Sequence, residues 1–228
     1  MRNAGTFLQN FISAVLVICA ILVTASVVYR SFNSDQHGRS KFTYVPNWKR
    51  LLIGRPVSIG SSSAQIKIIE FSDYQCPYCR ELEPQLIDLA KKYPARFAIV
   101  RYNFPLVKIH SGALPAAVAS VCAGAQHVYY KFQQEMFRAK LINIKRSDIV
   151  ALARSAHVPN VQEFKECLGT KSAIRKVDQD IRIGKRIGVT GTPTMIINGK
   201  LVEGFYSAHA IREMANESHN TSYLARLF

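Results

Sequence analysis

Ile66-Lys67-Ile68-Ile69-Glu70-Phe71 reads as a short β-strand. Ser72-Asp73-Tyr74-Gln75-Cys76-Pro77-Tyr78-Cys79 leads from it directly into a segment with Leu82, Leu86 and Leu89 at helical spacing. Two cysteines, two residues apart, therefore sit at the mouth of a helix. Unpaired backbone N–H groups and the positive end of the helix dipole face that first turn, so a thiolate at Cys76 is stabilised and its pKa falls below that of a free cysteine. Cys79, one turn further in, is the shielded partner. The spacing permits a small disulfide ring, and a low thiol pKa makes the exposed sulfur a good leaving group, which favours an oxidant over a reductant. Pro77 and Tyr78, enclosed by the pair, tune it. Half of a zinc site and two inert core cysteines are the competing readings, but zinc needs about four N/S ligands and no second Cys pair or His stands at finger spacing.

Working outward, Arg96 to Phe104 is a second β-rich run and completes a βαβ unit. From about Gly112 to Ile187 helical signals dominate. Val128, Phe132 and Met136 share one face, and Ile174, Val177 and Ile181 form another stripe. Ser147 and Asn160 are candidate N-caps, the latter with Glu163 three residues on. Thr194 to Ile197 has strand character again, Asn198-Gly199 is a strong hairpin signal, and Lys200 to Val202 supplies the returning strand. A last helix covers about Ser207 to Ala215. No internal repeat or low-complexity tract is present.

A second motif, Gly188-Val189-Thr190-Gly191-Thr192-Pro193-Thr194, enters that later strand. Taken with Glu70 to Cys79, it resembles the DsbA-like thiol-disulfide oxidoreductases of the thioredoxin superfamily over roughly residues 55 to 215. The resemblance implies an α/β, thioredoxin-like fold with a helical insertion at about residues 109–187. It also implies a cis proline at Pro193 beside the cysteine pair, with the backbone of Thr192 left free to bind an extended substrate; an ordinary trans turn proline is the alternative. Pro84 falls where the family's active-site helix is kinked, and a mid-helix proline removes a hydrogen bond in any case. Glu70, on an otherwise apolar strand, resembles the buried acid that relays a proton for the inner cysteine; a solvated edge-strand glutamate is the plainer reading. His110 fits the same pattern, although a lone His near a helix start is commonly structural. Cys122 and Cys167 both lie in the insertion and are read as a structural disulfide, against the alternative of two unpaired buried thiols.

At the other end of the chain, residues 11–29 carry no charge and read as a transmembrane anchor or signal segment after a short n-region, 1–10. Nineteen helical residues reach roughly 28 Å. Cys19 within this run behaves as a small hydrophobe. Arg30, Arg39, Lys41, Lys49 and Arg50 follow it, and that charge bias alone would keep the rest of the chain in the cytoplasm. Cysteine chemistry argues for an oxidising compartment instead, and large domains translocate largely regardless of such charges. Residues 30–55 read as a tether, with Trp48 docking it on the domain at 56–228.

Composition excludes other classes. In 228 residues, 48% are hydrophobic and 20% charged, enough apolar material for one sizeable core, so disorder and fibrous repeats are set aside. Five cysteines are too few for a disulfide-dependent scaffold. The net charge of +15 points to anionic surfaces, yet the basic residues between Phe137 and Arg186 lack the aromatic interleaving of nucleic-acid modules and read as a solvated face. Asn216-Glu217-Ser218 and Asn220-Thr221-Ser222 match glycosylation sequons, meaningful only in a host that glycosylates exported chains.

The resulting expectation is a protein disulfide oxidase on a bacterial inner membrane, single-pass, with its catalytic domain in the periplasm, or free in the periplasm if the first segment is cleaved. Unfolded or reduced exported proteins are its substrates, a membrane quinone-linked thiol oxidase regenerates it, and no metal, organic cofactor or nucleic acid is required. An isomerase or client-specific reductase of the same fold is the nearer alternative. A non-enzymatic tethered binding module is the more distant one.

Overall fold

Among the described residues, six strands, seven α-helices and a short 3-10 helix at Trp48–Leu52 follow one another in the part of the chain that carries both motifs. The structure, a computed structural model, describes residues 13–26 and 43–224 apart from residue 141, and the chain divides into two units, Met1–Lys41 and Phe42–Phe228. In the first unit residues 13–26 are helical, with exposed side chains. The remaining positions of the 11–29 segment lie outside the described residues. Among the described residues no helix is long and apolar enough to cross a membrane.

The second unit runs β1 (Thr43–Tyr44), β2 (Ile59–Gly60), β3 (Ile66–Ser72), α1 (Pro77–Lys92), β4 (Phe97–Asn103), α2 (Ala113–Ala125), α3 (Tyr129–Ala139), α4 (Arg146–Ser155), α5 (Val161–Cys167), α6 (Lys171–Arg186), β5 (Thr194–Ile197), β6 (Lys200–Glu203) and α7 (Ala208–Leu224). The sheet order is β1-β6-β5-β3-β4-β2. Strands β3 and β4 are parallel and every other pairing is antiparallel. Strand β3 lies at the centre, which explains its near-continuous apolar run: Ile66, Ile68, Ile69 and Phe71 are all fully buried. The Asn198-Gly199 turn takes positive φ at both residues, 50° and 89°, as a two-residue hairpin requires.

Helix α1 covers one face of the sheet, where Leu82, Leu86 and Leu89 meet Phe97, Ile99, Met195 and, from α7, Ile211. On the opposite face Ile69, Phe71, Val100, Tyr102 and Ile196 face Ile181 and Ile183 of α6. Gly184 permits that close approach, because a Cβ there would stand 2.8 Å from the Phe104 ring and 3.1 Å from Phe71. The insertion encloses a core of its own, with Ala116, Phe132, Met136, Phe164 and Val177, and that core reaches Tyr74, Cys76 and Cys79. The cysteine helix thus enters the protein between insertion and sheet.

Cys122 of α2 and Cys167 at the end of α5 are joined by a disulfide. Closing a loop of sequence separation 45 restricts the unfolded chain by about 4 kcal/mol on the chain-entropy account. Asn160 caps α5, its side chain accepting the N–H groups of Gln162 and Glu163. Ser147 is no cap. Helix α4 starts one residue earlier, with Lys145 at the N-cap position, and Asp148 Oδ2 accepts the Lys145 N–H from inside the first turn.

Residues 43–55, expected as tether, are built into the domain. Strand β1 pairs with β6, the Val45 N–H donates to the Gly199 carbonyl at 2.8 Å, and Trp48 packs against the cluster around Val45 and Tyr102. Gly199 leaves room for this. A Cβ there would meet Tyr44 at 2.5 Å and Trp48 at 2.7 Å. Arg55 closes the segment by pairing with buried Asp180 and lying 3.9 Å above the Tyr102 ring. The polar composition of residues 30–55 concealed these long-range partners, which belong to a hairpin and a helix far along the chain.

Candidate active site

Cys76 occupies the N-cap of α1, Pro77 begins the helix, and Cys79 lies one turn in; both cysteines are free thiols. Cys79 has no exposed surface. Cys76, expected to be exposed, is only 4% exposed. The Cys76 S–H donates to the Thr192 carbonyl at 3.2 Å. The Thr192–Pro193 peptide bond is cis. Four residues expected at the site from distant parts of the sequence, Cys76, Cys79, Thr192 and Pro193, therefore meet where α1 begins. Tyr78 projects outward and is 59% exposed.

This setting lowers the Cys76 pKa from 9.0 to about 6. The largest cause is a hydrogen bond from the Cys79 thiol, followed, against the opposing effect of burial, by the Thr192 side chain and the backbone N–H groups of Cys79 and Tyr78. The helix terminus contributes as the sequence suggests, but the inner thiol contributes more. The Thr192 hydroxyl is buried and has no other partner, so once Cys76 loses the proton it shares with the Thr192 carbonyl, that hydroxyl is left to donate to the thiolate. Cys79 moves the opposite way. Burial, the hydrogen bond to Cys76 and the charge of Glu70 hold its pKa well above the ordinary thiol value.

Glu70 is fully buried on central strand β3 and sits in register with Arg101 on β4, the two side chains 3.2 Å apart. Arg101 also reaches Glu83 of α1, at 2.6 Å, and Gln133 faces the same group. Two buried carboxylates share one guanidinium. Burial raises the Glu70 pKa, Arg101 opposes the rise and Glu83 adds to it. Glu70 is thus no solvated edge residue, and its charge is coupled to both active-site sulfurs. Sequence reading missed Arg101 and Glu83, although both carried a signal: an arginine inside the apolar run Phe97–Asn103, and a glutamate among the inward positions Cys79, Leu82 and Leu86 of α1.

Asp73 was missed too. Its buried carboxylate accepts the N–H groups of Gln75 and Leu106, each at 2.8 Å, and meets His110 Nδ1 at 2.8 Å. His110 therefore fastens the segment before α2 to the cysteine turn. A cavity of about 810 Å³ lies elsewhere, between residues 54–58, Arg101 and the start of α6. Cys76 does not line it.

A family model described as Thioredoxin matches residues 53–217. The chain belongs to this thioredoxin family. Among its relatives is the disulfide bond formation protein D of Bacillus subtilis, 24% identical over 189 residues, which covers 79% of this thioredoxin-family chain and 82% of the relative. A second relative is the Na(+)/H(+) antiporter NhaA 3 of Salinispora tropica, 27% identical over 155 residues; the match covers 67% of this chain but 23% of the antiporter. The chain therefore spans under a quarter of that protein's length. Among solved structures, oxidised BdbD from Bacillus subtilis superposes with a TM-score of 0.64 at 21% identity, covering 78% of this chain and 97% of that one. That likeness establishes the thioredoxin-like fold with its helical insertion.

Proposed function

We propose that this thioredoxin-family thiol-disulfide oxidoreductase works as an oxidase, introducing disulfides into reduced polypeptides through Cys76 and Cys79. One observation carries the reading: the Cys76 thiol is lowered to about 6 while Cys79 is raised. A client thiolate attacks Cys76 of the protein disulfide, the Cys76–Cys79 bond breaks, and Cys79 departs with the electron pair and takes up a proton. Glu70, whose burial shifts it toward the protonated form and whose charge acts on Cys79, is the group assigned to supply that proton. A second client thiolate then attacks the client sulfur and releases Cys76 as a thiolate. Two electrons have passed from client to protein. The released thiolate is stabilised, so the reduced form is favoured and the disulfide is oxidising.

Equilibration with glutathione tests the direction. An oxidase lies near −120 mV, whereas a value near −270 mV, of the order seen in thioredoxin, assigns a reductant and overturns the reading. The name of the Bacillus subtilis relative supports protein clients. Continuous turnover needs an acceptor for the two electrons, and a quinone-linked thiol oxidase in the membrane fits that chemistry.

The uncharged run at 11–29 supports an anchor or an export signal, with residues 43–224 on the oxidising side of a bacterial inner membrane. A C-terminal reporter active only outside the cytoplasm should be active; a reporter active only in the cytoplasm would place the thiol pair among reductants and contradict this placement.

A further inference from the structure

Gln75, the residue before Cys76, joins three separate segments through one side-chain amide. Its Oε1 accepts the Gly112 N–H at 2.6 Å and its Nε2 donates to the Ile142 carbonyl. The turn carrying Cys76 is thereby tied to the start of α2 and to the loop between α3 and α4. Asp73 fastens the first two segments again, through Leu106 N–H and His110. The two segments tied to the Cys76 turn each display an isoleucine to solvent: Ile109 is 72% exposed and Ile142 is 79% exposed. Exposed isoleucines on free loops would present no fixed surface, whereas pinned ones form a preorganised apolar contact. Gly112 belongs to the same arrangement. A Cβ at Gly112 would lie 3.0 Å from Gln75 Nε2 and 3.1 Å from its Cδ and Oε1, so only glycine leaves the amide undisturbed.

Resting on the oxidase reading, we infer that Gln75 is a positioning residue for client recognition. It holds Ile109 and Ile142 beside the Cys76 turn, where they favour polypeptides with bulky apolar side chains next to the reacting cysteine. Acting through the segments it holds, it affects capture of the client rather than exchange.

Three reductants test this on the oxidised full chain: a reduced peptide whose cysteines are flanked by leucine and phenylalanine, the same peptide with serines there, and reduced glutathione. Gln75→Met keeps the shape and loses both hydrogen bonds. Gln75→Glu keeps the acceptor for Gly112 and loses the donor for Ile142. Gly112→Ala displaces the amide from the opposite side. For Gln75→Met, kcat/KM toward the apolar peptide should fall about tenfold, carried by KM. The serine peptide and glutathione should change by less than about twofold, with the pH profile of Cys76 alkylation unmoved. Gly112→Ala should act in the same direction as Gln75→Met by a smaller factor, and Gln75→Glu should fall between Gln75→Met and the wild type. Equal losses with all three reductants, a shifted thiol titration, or full retention in Gln75→Met would overturn the assignment. A wild-type protein that exchanges with none of the three refutes the oxidase reading instead.

Discussion

Replacing Cys76 by serine should abolish oxidation of a reduced client, a loss of about a thousandfold or more, because a hydroxyl cannot form the interchain disulfide through which exchange proceeds. Cys79→Ser should behave differently. With Cys76 kept at the N-cap of α1 and no inner thiol to displace the client, a single exchange with a mixed disulfide reagent leaves a long-lived covalent adduct. Its hydroxyl still hydrogen-bonds to the thiolate, but more weakly than the coupled thiol that contributes most to the low Cys76 pKa, so that pKa should rise. Non-reducing gel electrophoresis separates the two variants: no adduct for Cys76→Ser, accumulation for Cys79→Ser. An adduct formed through Cys79 when Cys76 is absent would contradict the assignment of roles, since Cys79 is fully buried.

Arg101→Met should be the most destabilising single substitution outside the apolar core, costing about 3–5 kcal/mol, because it leaves the buried carboxylates of Glu70 and Glu83 without a counter-charge. The pH dependence follows from the direction of the Glu70 shift. A carboxyl whose folded pKa is raised holds a proton that the unfolded chain has released, so stability falls as pH rises from the unfolded value of 4.5 through the folded one. Removing Arg101 raises the Glu70 pKa further and widens that window. Chemical denaturation should therefore find the variant close to wild type in acid and far weaker at neutral pH. Adding Glu70→Gln and Glu83→Gln to Arg101→Met should recover most of the loss. No recovery in the triple variant would mean that Arg101 acts through packing rather than charge.

Much of this architecture was legible because its signals are local. The strand Ile66–Ser72, the helix stripe Leu82, Leu86 and Leu89, the Asn198-Gly199 turn and the cysteine pair each announce themselves within a few residues. What stayed hidden depends on partners far away in sequence. Arg55 looked like linker until Asp180 met it, and Thr43–Tyr44 became a strand only because β6 offers an edge. Ser147 is a good cap by type, yet Asp148 completes the first turn of α4 from within. At the site, a falling Cys76 pKa could be argued from a helix N-terminus alone, whereas the larger effect of the Cys79 thiol, the burial of Cys76 and its hydrogen bond to Thr192 required the fold. The Glu70–Arg101 pair could have been anticipated from two charges at matching places in two apolar strands, had the register of β3 against β4 been known.

Direct titration of Cys76 in the reduced protein bears most closely on all of this. Followed by thiolate absorbance or by the pH dependence of alkylation, with Cys79→Ser and Cys76→Ser as references, Cys76 should be half ionised at about pH 6. Its reactivity should then be nearly constant from neutrality upward. A sulfur that stays protonated up to the ordinary value of 9.0 would leave the protein without its leaving group and contradict the oxidase account.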